Sequence, residues 1–280
     1  MASLLEHYER MLQPLAQVAA RHPPMLNVLK FFLSTYVSLI GIALLLLIDS
    51  PTGDGWFSGH GQAIVNILAL LIFVIFYGRS RKRVRVIMLV GMLVGFSGEL
   101  YFSLLLGMYH YRLDNVPLWV AFGHGLIYWL AFKLTHNSYI EAIRPRMERL
   151  LLAFAVLYSL LWLKIADDWF GFLCTIVFLM VLFTARKSRF FFLLMFAIVA
   201  YIELIGTATD CWYWPATTFG IDGWLPSGNP PSGIAVFYFL FDAEVLFIYL
   251  YLIYPRKRPR FERRARKPRS GITAEPQLVE

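Results

Sequence analysis

All but two of the 26 Lys and Arg residues fall in, or within two residues of, alternate gaps between long apolar runs. A helix needs about 20 mostly apolar residues to cross a bilayer core. Runs near that length occupy 31–48, 63–78, 84–107, 116–134, 150–166, 169–185, 190–207 and 233–254. With the N-terminus in the cytoplasm, the inside gaps and the run ends bordering them hold every Lys and Arg except Arg112 and Lys164. Cytoplasmic loops are enriched in these residues, and a wrong span count would scramble the alternation. The pattern predicts an all-α integral membrane bundle of about eight transmembrane helices in an inner, cytoplasmic-type membrane, with both termini inside.

Composition agrees. The chain is 59% hydrophobic and 16% charged, with mean hydropathy +0.60, whereas soluble domains are about half apolar and a quarter charged. Two cysteines exclude a disulfide scaffold. The net charge of +8 reads as a topology signal and as contact with anionic lipid heads, so nucleic acid is not an expected partner. Three regions follow. Residues 1–29 predict a cytoplasmic amphipathic helix and carry no cleavable signal, 30–254 the membrane domain, and 255–280 a basic disordered tail on anionic lipid.

Two stretches resemble one another. Glu99 is followed by Tyr109-His110-Tyr111 and a proline-containing loop into a returning span. Glu203 is followed by Trp212-Tyr213-Trp214 and a second such loop. Both glutamate-bearing spans run outward. The expectation is a parallel internal repeat of 4+4 spans, with halves at about 30–135 and 148–254, related by an axis along the membrane normal.

Charged residues inside spans cost roughly 2.5–3.5 kcal/mol on insertion scales, so those retained are paired, hydrated or functional. Glu99, Glu203, Asp242 and Glu244 are such residues. At about 1.5 Å per residue, Glu99 and His124 lie roughly 12 Å, Glu203 roughly 5 Å and Asp242 roughly 13 Å below the outer face. The outer loops add His60, His110, Arg112, Asp114, Asp210 and Asn229. This predicts a polar pocket opening outward where the halves meet, against the plainer reading of interhelical hydrogen bonds. A buried carboxyl beside an ionised one suits acid–base chemistry. Glu99 and Asp242 form the preferred acid pair, with Glu203 and His124 as further catalytic candidates. Tyr101, Tyr109, Tyr111, Arg112, Trp212, Trp214, Asn229 and Tyr238 are candidate substrate contacts. Glu244, about 200° round the helix from Asp242, is expected to pair elsewhere in the bundle. The histidines follow no metal-ligand spacing, so neither metal nor cofactor is expected.

The segment Glu99, Gly107-Met108-Tyr109-His110-Tyr111 and Val116-Pro117-Leu118 resembles the carotenoid-biosynthesis membrane proteins that include the carotenoid hydratases. These carry a glutamate, a G-x-Y-x-Y element and a V-P-L run. Glu203, Trp212, Trp214 and Asn229-Pro230-Pro231 resemble their later aromatic loop more faintly. The resemblance implies acid-catalysed addition of water to an isoprenoid double bond. The leading expectation is an enzyme acting on a lipid or isoprenoid at the outer leaflet by hydration, cyclisation or isomerisation. The alternatives are a transporter or lipid-binding protein using the same carboxylates, and an accessory subunit. No pair of glycine- or proline-broken spans at mid-depth favours the transporter.

Overall fold

The computed structural model describes residues 23–184, 188–248 and 253; the side chains of 23–30, 34, 240, 242–243 and 246–247 are outside that description. The helix expected within 1–29 lies outside the described residues up to 22, and the tail at 255–280 wholly so.

The described chain is almost entirely helical. Its helices are α1 (Pro23–Asp49), α2 (Pro51–Trp56), α3 (Gly61–Arg79), α4 (Lys82–Glu99), α5 (Leu118–Thr135), α6 (Ser138–Ala166), α7 (Trp169–Thr184), α8 (Arg189–Ala208) and α9 (Ala235–Phe247). Five segments are long and apolar enough to cross a membrane: Phe31–Asp49, Gly61–Arg79, Lys82–Leu105, Ser138–Ala166 and Arg189–Ala208. The 16-residue α7 is apolar but shorter. Exposed Leu33, Ile40, Leu44, Ile67, Leu71 and Val74 give α1 and α3 apolar outer faces. A helix apolar on its outer side is at home in lipid.

Burial sets the layering. In α8, 67% of the most apolar window is buried, against 12% in α1. Thus α8 is the central pole, packed on α1, α5, α6 and α9, and α1 is peripheral. Close contact between α4 and its neighbours depends on a small-residue stripe. A Cβ on Gly91 would sit 2.2 Å from the Tyr128 ring, one on Gly95 2.3 Å from His124, and one on Gly98 2.0 Å from Phe241. Small residues let membrane helices approach this way.

α6 starts at Ser138, twelve residues before the expected boundary at 150. The charges of Glu141, Arg144 and Glu148 make that stretch look like a loop. It is instead an amphipathic extension, capped by Asn137, whose side chain accepts from the Tyr139 and Ile140 amides, and tied by an Arg144–Glu148 bond of 2.8 Å at helical i, i+4 spacing.

Two short strands join the loop before α5 to the loop after α8. β1 (His110–Tyr111) pairs antiparallel with β2 (Trp212–Tyr213), aligning His110 with Tyr213 and Tyr111 with Trp212.

Candidate functional site

Glu99 is the last residue of α4, where the helix loosens into a π-helical turn, Leu100–Leu105. Such turns widen a helix locally and often sit at functional sites. The Glu99 carboxyl is 5% exposed and is held from three sides. Tyr109 and Tyr111 both donate their hydroxyls to Oε2, Tyr111 at 2.8 Å, and His124 Nε2 lies 2.9 Å from Oε1. Residues two apart in extended chain face the same way, so one loop segment delivers both phenols. Burial first, and the Glu99 charge second, hold both tyrosines well above the usual phenol range. They remain protonated donors.

Glu203, on α8, repeats the arrangement with indoles. Its Oε2 accepts from Trp212 Nε1 at 2.8 Å and Trp214 Nε1 at 3.1 Å. Its Oε1 has no hydrogen-bond partner among the described residues. Strand pairing then sets the aromatic rings against each other. The Tyr109 and Trp214 centroids are 4.6 Å apart, and those of Tyr111 and Trp212 are 5.9 Å apart.

Both carboxylates line one cavity of about 320 Å³. His124, Tyr109, Tyr111, Trp212 and Tyr238 share its polar head. Its body is apolar and runs between α1, α3 and α5, past Gly41 and Ala69 to Phe76 and Trp129, whose rings meet at 4.3 Å. Tyr238 stacks on His124 with centroids 5.6 Å apart. No Lys or Arg lines the cavity.

The remaining sequence candidates lie elsewhere. Trp214 reaches Glu203 without lining the cavity. Asn229 accepts from the Trp214 amide at 2.9 Å and so fixes β2. Arg112 contacts Asp54 at 3.2 Å and Asp49 at 3.7 Å, two carboxylates that the sequence reading did not single out. Tyr101 is a correction. It is 50% exposed, because two residues past Glu99 is about 200° round a helix. Glu244 is another: it pairs with nothing among the described residues and is exposed on a shallow groove beside Leu93, Ser97 and Tyr101. The side chain of Asp242, half of the preferred acid pair, lies outside the described residues. The His110 ring lies tilted against that of Tyr213, with centroids 5.3 Å apart, and among the described residues no three His, Cys, Asp or Glu side chains gather as a metal site.

Two buried aspartates had no sequence signal beyond their place at helix ends. Asp49 accepts from Trp119 Nε1 at 3.0 Å. Asp168 is fully buried and accepts three amides, from Gly171 at 3.0 Å, Gly228 at 2.9 Å and Ser232 at 2.7 Å. It thereby staples the loop before α9 to the start of α7.

No family model, curated protein or solved structure matches the chain.

Proposed function

We propose that the protein is an integral-membrane enzyme acting by acid–base chemistry on an apolar lipid of isoprenoid type. The observation that carries this reading is the placement of two carboxylates, from different helices, at the head of one apolar cavity within the bundle. Interhelical glue alone accounts poorly for it. Glue spends its hydrogen-bonding capacity on neighbouring helices, whereas Glu203 keeps an oxygen unpartnered. That oxygen makes Glu203 the proton donor. Its proton passes to one carbon of a double bond, and the π electrons form the new C–H bond. The adjacent carbon becomes cationic. Glu99 is the base; it need not be a strong one, because a carbocation is a strong acid. It takes a proton from the neighbouring carbon in isomerisation, or from the added water in hydration. This assignment replaces Asp242 with Glu203 as the partner of Glu99.

The architecture proposed with it is eight spans in two parallel halves, in an inner membrane with both termini inside. The packing supports the repeat. Contacts of α1 with α3, α3 with α5, α4 with α5, and α5 with α8 are matched by those of α6 with α7, α7 with α9, α8 with α9, and α9 with α4. Asp49 and Asp168 each follow the first long helix of a half and hold the entry to its last. The aromatic donors sit 10 and 12 residues after Glu99 and 9 and 11 after Glu203. In this frame α1 departs from its counterpart, and the cavity lies behind it.

Mass spectrometry of lipids from cells with and without the protein tests the function. A lipid species that changes with wild type and not with Glu203→Gln, at equal protein level, supports it. Unchanged lipid profiles would count against it.

A further inference from the structure

We infer that the head of the cavity is a cation site, taking a positively charged centre carried on an apolar chain. The argument is an inventory of donors and acceptors. The Tyr109 and Tyr111 hydroxyls and the His124 Nε2 position are spent on Glu99. The Trp212 indole N–H is spent on Glu203 and that of Trp119 on Asp49. With no Lys or Arg in the lining, no positively charged group is left to receive an anion, and the neutral Tyr238 hydroxyl is the remaining phenol donor. Against that stands acceptor capacity: Glu203 Oε1 and the second lone pair of Glu99 Oε1, with the Tyr238 ring beside them. Several aromatic side chains surround these groups, and aromatic rings attract cations most strongly where water is excluded. Glu99 has His124 beside it, whereas Glu203 has no basic neighbour in the lining, so once Glu203 has given up its proton its charge calls for a positive partner, since buried charge is costly unless paired.

The apolar body limits what can carry that charge. Below the acid layer the lining from Gly41 and Ala69 to Phe76 and Trp129 is hydrocarbon and aromatic apart from Ser38, so the cation comes on a lipid-like chain. The catalytic meaning rests on the reading above: the charge is then the transient carbocation, and a quaternary alkylammonium is its stable counterpart. Binding itself can be measured without knowing the substrate.

The test uses the full-length protein in nanodiscs of zwitterionic lipid and calorimetric titration with three water-soluble chains of equal length: octyltrimethylammonium, 1-octanol and octyl sulfate. The ammonium should bind about tenfold more tightly than the alcohol, the scale of one desolvated cation–aromatic contact or ion pair, and the sulfate should show no saturable binding. Glu203→Gln should abolish that preference, while Glu244→Gln, which changes an acid outside the cavity, should keep it. Alcohol or sulfate binding as tightly as the ammonium would overturn the site, and so would an unchanged preference in Glu203→Gln. If Glu203→Gln fails to fold, the wild-type ranking still decides, and Tyr238→Leu should cut the preference where Tyr238→Phe keeps it. The two readings fail separately. A lipid product without ammonium selectivity removes the cation site and leaves the enzyme; ammonium selectivity without any product removes the enzyme and leaves the site.

Discussion

Glu99 and Glu203 differ in what holds them. Phenols and an imidazole can exchange protons with a carboxylate; indoles only donate. Replacing Trp212 by Phe removes one donor from Glu203 while keeping an aromatic ring. The expected outcome is normal membrane abundance with activity reduced roughly 10- to 100-fold, up to the low end of the 10²–10⁴-fold that proton transfer typically contributes. Tyr111→Phe should cost less, because Tyr109 and His124 still hold Glu99. Relative turnover per unit of protein checks both. Arg112 tests structure instead. Its truncation strands Asp49, which is 1% exposed, and breaking a buried ion pair costs about 3–5 kcal/mol. Arg112→Ala should therefore lower the unfolding temperature, and adding Asp49→Asn should recover part of the loss. Equal melting of Arg112→Ala and wild type would show that the pair contributes nothing. At this scale the sequence was partly legible. Glu99, Tyr109 and Tyr111 were marked by a charge inside an apolar run and by aromatic spacing. Asp49 and Asp168 were not, because an aspartate at a helix end looks like a boundary, and their partners lie about as far along the chain as Trp119 and Ser232.

The glycines on α4 and α5 separate packing from function at the level of the helix. Gly95→Ala places a methyl against the His124 ring, which has little room to move, so it should displace the ring from Glu99 and destabilise by about 1–3 kcal/mol. Gly123 lines the cavity and has open space where its Cβ would be. Gly123→Leu should therefore fold at least as well, since glycine within a helix is unfavourable by up to about 1 kcal/mol, yet it should block the chain-binding body and abolish activity. Comparing melting temperature with turnover in the two variants separates the effects; a fully active Gly123→Leu would place the substrate elsewhere. The long apolar helices were legible from run length and charge. The early start of α6 was not, because its first turns are polar on one side. The cavity was not legible either, since it depends on α1 standing at the edge of the bundle, and no local pattern specifies that.

The topology proposed above would put most Lys and Arg on one side of the membrane and the acid–aromatic layer toward the other, and this can be tested at the scale of the whole molecule. Both described cysteines are free and buried. Cys211 donates its thiol to the Leu46 carbonyl at 3.1 Å, and burial pushes that thiol up to about 12, so it should resist alkylation in the folded protein. Cysteines introduced at exposed Trp224 and at Arg81 then report topology on a silent background: the first should react with an impermeant maleimide in intact cells, the second only after lysis. Reaction at Arg81 in intact cells would reverse the orientation. Proton transfer from a carboxyl to carbon inside the membrane, as proposed above, can be followed with deuterium. Membranes containing wild-type protein or Glu203→Gln are incubated in heavy water, and their extracted lipids are weighed after back-exchange in ordinary water. Wild type should leave at least one non-exchangeable deuterium on carbon in an apolar lipid, and the variant none. Equal labelling in both, or no carbon-bound deuterium in either, would contradict it.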